Sequence, residues 1–99
     1  MKIIKKLSEF IDEEIGDAKK YAENAAMYKD SDPDLSEMFH ELSEEELGHV
    51  GKLHDHVVKA INTVKESGKT IPPGMMEIYD YLHKRQIERV NEVKVMLAD

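Results

Sequence analysis

Glu46-Leu47-Gly48-His49 sets a carboxylate and an imidazole three residues apart. On a helix that spacing puts both side chains on one face, where they can reach a common cation. Alone the pattern is a weak signal, because a chain of 99 residues with 21 acids and 5 histidines produces such pairs by chance. Two others occur, Glu37/His40 and Asp80/His83. Glu46 and His49 stand apart because they interrupt an apolar row: Leu35, Phe39, Leu42, Glu46, His49, Leu53, His56, Ala60. A second row, Ile4, Leu7, Ile11, Glu14, Ala18, Tyr21, Ala25, Tyr28, is broken by one acid, Glu14. A third, Met75, Tyr79, Leu82, Gln86, Val90, Val93, Leu97, contains no acid. Glu14, Glu46 and His49 are therefore the residues whose type and position could bind metal.

The rows belong to helices, since apolar positions recur every three to four residues. Two clusters of breaker residues divide them. In Lys29-Asp30-Ser31-Asp32-Pro33, Asp32 can cap the next helix, Pro33 suits its first turn, and Asp34 favours its positive end. In Ser67-Gly68-Lys69-Thr70-Ile71-Pro72-Pro73-Gly74, Gly68 can end a helix in the left-handed conformation. The spacing predicts helices over about 3–29, 33–67 and 74–98 in one domain, residues 1–99. Long helices with short connections pack as antiparallel neighbours, so the expected fold is all-α, a helical hairpin plus a third helix.

A hairpin turning near residues 30–33 aligns the three candidates. Glu14 lies about 16 residues before the turn and His49 about 16 after it, each roughly 24 Å along the axis. Glu46 sits about one turn lower. Burying one carboxylate unpaired is costly, and two facing each other repel, so a cation at this level offsets both penalties. Carboxylates with imidazole suit iron or manganese, and zinc also accepts them. One Glu plus one Glu-x-x-His is half the ligand set of a di-metal site in a four-helix bundle. A two-fold homodimer would supply Glu14, Glu46 and His49 twice. Small residues at this level, Gly16, Ala18, Gly48 and Gly51, would let backbones approach.

These segments resemble the ferritin-like di-iron carboxylate superfamily, rubrerythrins and bacterioferritins in particular. Glu14-Ile15-Gly16-Asp17-Ala18-Lys19-Lys20-Tyr21 is similar to the family's ligand Glu followed seven residues later by a Tyr. Glu45-Glu46-Leu47-Gly48-His49-Val50-Gly51-Lys52-Leu53 is similar to its Glu-Glu-x-x-His with a following Leu. The resemblance covers about residues 4–60. It implies Glu14 as a terminal ligand, Glu46 as a bridging ligand, His49 as an imidazole ligand and Tyr21 as a hydrogen-bonding neighbour of the metals. It implies two iron ions per site and oxidation of Fe(II) by oxygen or peroxide. The third helix departs from the family, with no second Glu-x-x-His and no fourth helix after it. The chain thus looks like the half-ferritin of small encapsulated ferritin relatives, its four-helix site completed by a homodimer. An enclosing shell or cage would be the further partner of such a protein, and no residue here specifies one.

Composition narrows the alternatives. With 14 Lys and Arg against 21 Asp and Glu, the net charge of −7 argues against nucleic acid as a partner. No cysteine is present, which removes thiolate metal sites, iron–sulfur clusters and a cysteine nucleophile. No stretch approaches the roughly 20 apolar residues of a membrane span. The N-terminus lacks the apolar run of a signal peptide. The expected location is cytoplasmic. Other readings stay open: a non-catalytic helical interaction module, or a dimer stabilised by zinc without redox turnover. His54-Asp55-His56 is expected to be a solvated turn, with His56 a possible extra ligand. Glu37 and His40 are expected to face water, as are Glu88 and Glu92 on the third helix, and His83 borders its apolar stripe.

Overall fold

Both breaker clusters end helices at the expected places. The computed structural model describes residues 2–99, which form α1 (Lys2–Met27), α2 (Pro33–Glu66) and α3 (Pro73–Ala98). Asp32 caps α2, its Oδ1 accepting from the Leu35 N–H at 3.2 Å, with Pro33 in the first turn behind it. The connection is held by the Asp32 N–H donating to Tyr28 O at 2.9 Å, so α1 stops at Met27, two residues short of the expected end. Gly68 takes φ +78 after α2, the left-handed conformation that favours glycine. α3 begins at Pro73 rather than residue 74. A proline in the first turn loses no hydrogen bond there, and its fixed φ suits the helix.

The helices make a rod of 57 × 18 × 18 Å. α1 packs antiparallel on α2 along its length and carries α3 on another side, while α2 and α3 barely touch. This arrangement rotates the buried stripe of α1 from the expected row. Ile4, Ile11, Ala18 and Ala25 are buried as expected, but their companions are Ser8, Ile15 and Ala22. Those three turn toward α3, where Ser8 bonds Gln86 and Ala22 packs with Val93. Leu7, Glu14, Tyr21 and Tyr28 are only half-buried. They lie on the flank of the hairpin away from α3, facing α2 alone, as the contacts of Glu14 with His49 and of both tyrosines with Phe39 show. One flank of the α1–α2 hairpin is thus left without a helix over it.

Two serines, Ser43 buried and Ser36 half-buried, fix the hairpin register. Ser36 Oγ donates to Ala25 O, and Ser43 Oγ donates to Ala18 O at 2.7 Å. Seven residues separate the serines and seven the alanines, so one contact repeats two turns further on. α3 is tethered by polar contacts. Gln86 Nε2 donates to Ser8 O, Ser8 Oγ and Asp12 Oδ1 at 3.1–3.3 Å, and Arg89 pairs with Asp12 at 3.2 Å. His40, expected in water, is half-buried: its Nε2 donates to Leu97 O at 3.0 Å and its Nδ1 meets Glu44 at 2.6 Å. No helix is long and apolar enough to cross a membrane among the described residues.

Candidate metal centre

The register set by Ser43 and Ala18 carries Glu46 and Glu14 to one level, because each lies about one helical turn from its anchor in the antiparallel pair. His49 follows one turn above Glu46. Its Nδ1 lies 3.4 Å from Glu14 Oε2 and 3.6 Å from Glu46 Oε2. One ligand atom from each of the three lies within 4.8 Å of the others. Donors bound about 2.0–2.2 Å from a single ion stand about 3.0–3.5 Å apart, so these spacings suit ligands gathered around a cation. The three side chains that the sequence sets at one depth therefore meet at one level of the hairpin.

Their burial differs from expectation. The side chain of Glu46 is 18% exposed, that of Glu14 29%, and that of His49 52%. The cluster sits at the open flank and not inside the hairpin, because α3 packs on another side of α1 and leaves this flank uncovered. Among the described residues neither carboxylate pairs with a lysine or arginine; His49 is the shared partner of both. A single Nδ1 proton can be donated to only one of two carboxylates at a time, which leaves the other without a partner. A divalent cation satisfies all three groups together, so the donor set fits the metal that its residue types suggest.

Tyr21 lies on the same flank but is engaged otherwise within the chain. Its ring stacks on Phe39 at 6.2 Å, and Tyr28 stacks on Phe39 at 6.1 Å. Among the described residues it makes no hydrogen bond to Glu14 or Glu46. His56 is exposed on this flank and stands outside the three-residue cluster. Glu88 and Glu92 are exposed on α3, as expected.

Two pairings escape sequence reasoning. His54, expected in a solvated turn, is half-buried and stacks on His83 across α2 and α3, ring centroids 4.5 Å apart and planes 6° from parallel. Tyr79 continues the stack at 5.8 Å from His83. Burial, then the neighbouring His54, hold the His83 pKa below the usual imidazole value, while Asp80 pulls the other way. The available signal was the row Leu47, Val50, His54, Val57, Ile61, which faces α3 and not the open flank. The second is the Ser36 and Ser43 pair, legible only once the heptad of alanines on α1 is read with it.

The chain matches no protein-family model, no curated protein and no solved structure. The geometry of the site carries the functional argument.

Proposed function

We propose that the open flank pairs with the same flank of a second copy, and that the two chains together hold two metal ions between Glu14, Glu46 and His49 of each. The supporting observation is the convergence of two carboxylates and an imidazole within 4.8 Å, free of any lysine or arginine, on a face that α3 leaves uncovered. Glycines support the same pairing. Gly16 and Gly48 lie within the helices beside the cluster, and a Cβ at either would meet nothing within 4 Å. Helix-interior glycine destabilises a chain by roughly 0.5–1 kcal/mol against alanine. The chain's own packing does not require these two, whereas close approach of another backbone would.

Iron is the metal we assign first, on the carboxylate-rich donor set and the ferritin-like resemblance, with manganese or zinc as alternatives. Iron held there supplies oxidation of Fe(II) by oxygen or peroxide, the ferroxidase or peroxidase chemistry of that superfamily. In this assignment Glu14, Glu46 and His49 of each chain would hold the metal, and the Tyr21 hydroxyl would orient a carboxylate once the two chains meet. Keeping acids unpaired by lysine or arginine preserves their lone pairs for metal. The reading extends to binding and oxidation; storage would need a surrounding shell that no residue specifies.

The test is anaerobic addition of Fe(II), metal analysis of the desalted protein, then oxygen uptake with near-ultraviolet absorbance. Wild type is expected to retain iron and consume oxygen, while Glu46→Ala and His49→Ala lose both. Equal iron retention by wild type and both variants overturns the assignment. A second reading, a zinc-held dimer without turnover, rests on the same donor set, which zinc accepts equally. It is favoured if chelation dissolves the dimer while Fe(II) provokes no oxygen uptake. A purely structural interaction module is favoured if chelators change neither assembly nor melting.

A further inference from the structure

On the side of α2 away from the open flank, α2 and α3 stand apart around a crevice of about 340 Å³. Ile11 of α1 forms its floor, and Leu47, Val50, Ile87 and Val90 give it apolar walls. A volume in this range is that of a small-molecule site, where apolar walls and a few placed polar groups are the usual composition.

Three features show what would fill it. Gly51 stands at the α2 lip, and a Cβ there would meet nothing within 4 Å, so the chain's own packing does not call for glycine. Gln86 is 6% exposed and lines the crevice. Its Nε2 is committed to Ser8 and Asp12, all acceptors, which turns Oε1 away from them; among the described residues no buried side-chain oxygen lacks a partner, so Oε1, which has none there, is open to the surface. At one end lie the parallel rings of His54 and His83, a flat aromatic surface. At the other lie Asn91 and Lys94, the latter a cation in a chain of net charge −7. His83 is held toward its neutral form by burial and by His54, so Lys94 is the fixed positive group of the crevice.

We propose that this crevice binds a small, flat, mainly apolar anion of the aromatic-carboxylate class, its ring system between Val50 and Val90 and its charge at Lys94. The proposal is independent of the metal reading, because the two sites share no residue.

Anilinonaphthalene sulfonate, flat, aromatic and anionic, is the probe. Titrated into the full chain without metal, it is expected to bind saturably, one per chain, with enhanced fluorescence and shifts of the His54 and His83 ring protons. Gly51→Leu, which fills the lip while favouring the helix, should weaken binding by at least about tenfold. Lys94→Gln should weaken it by about three- to tenfold. Helical circular dichroism checks that both variants fold. His56→Ala, on the open flank, should leave binding unchanged. Absence of saturable binding by wild type, or binding that both crevice variants retain in full, overturns the proposal. Loss of binding in His56→Ala with retention in Gly51→Leu places the probe on the flank and overturns it equally.

Discussion

Ser43 illustrates how a single hydroxyl positions a site that it does not belong to. Fully buried, it ties α2 to the Ala18 carbonyl one turn from the candidate ligands. Ser43→Ala removes that donor and is expected to lower stability by about 1 kcal/mol, read as a drop in urea midpoint with unchanged slope. Unchanged stability would show that the register has another source. Gly48 makes the opposite kind of prediction. Gly48→Ala should stabilise the isolated chain by roughly 0.5–1 kcal/mol, because the new Cβ meets nothing and the helix gains propensity. The same variant should weaken self-association in sedimentation, if a partner backbone approaches there. Stabilisation with undiminished association would remove glycine from the pairing argument. At this scale the sequence was legible where a residue broke a pattern, as Glu14, Glu46 and His49 did. It was opaque where a polar residue satisfied a partner far along the chain. His40 reaches Leu97 and His54 reaches His83, contacts that no local spacing encodes.

Helices were the most legible elements, since caps and breakers act locally. Asp32, Pro33 and Gly68 mark ends through hydrogen bonds and dihedral angles confined to a few residues. The face that each helix buries was harder to read. The row through Leu7, Glu14, Tyr21 and Tyr28 looks central in the sequence but lies at the flank, because α3 docks on the other side of α1 and buries Ser8, Ile15 and Ala22 instead. α3 itself carries a pH prediction. The folded chain holds the His83 pKa below its ordinary value of about 6.5, through burial first and His54 second, against the opposing pull of Asp80. The unfolded chain therefore binds the proton more readily. The His83 contribution to stability is complete above about pH 6.5 and is lost as the pH falls from there toward the lower folded value. Amide exchange in α3, corrected for intrinsic rates, should accelerate as the pH falls below about 6.5. In His83→Phe, which keeps a ring against His54, that acceleration should be smaller. An equal acceleration in the variant would assign the effect to other groups.

At the scale of the whole molecule, the arrangement of the chain is asymmetric in a useful way. α3 covers one side of the hairpin and leaves the other, with its aromatic sandwich of Tyr21, Phe39 and Tyr28 and its cluster of Glu14, Glu46 and His49, facing outward. Sequence reasoning reaches this point only indirectly, through a shortfall: one hairpin supplies three ligand-type residues where a two-metal site uses six. Which surface a second copy would cover is a property of the assembled helices and is written in no single segment. In the proposed dimer, pairing and metal binding are one event, since each completes what the other lacks. Native mass spectrometry of the full chain, with and without Fe(II) under anaerobic conditions, tests it most directly. Wild type is expected to form a dimer carrying two iron ions, and Glu46→Ala to lose both the iron and the metal-dependent gain in dimer. A wild-type chain that stays monomeric and free of iron at every Fe(II) concentration, or a Glu46→Ala chain that binds iron and dimerises as wild type does, would contradict it.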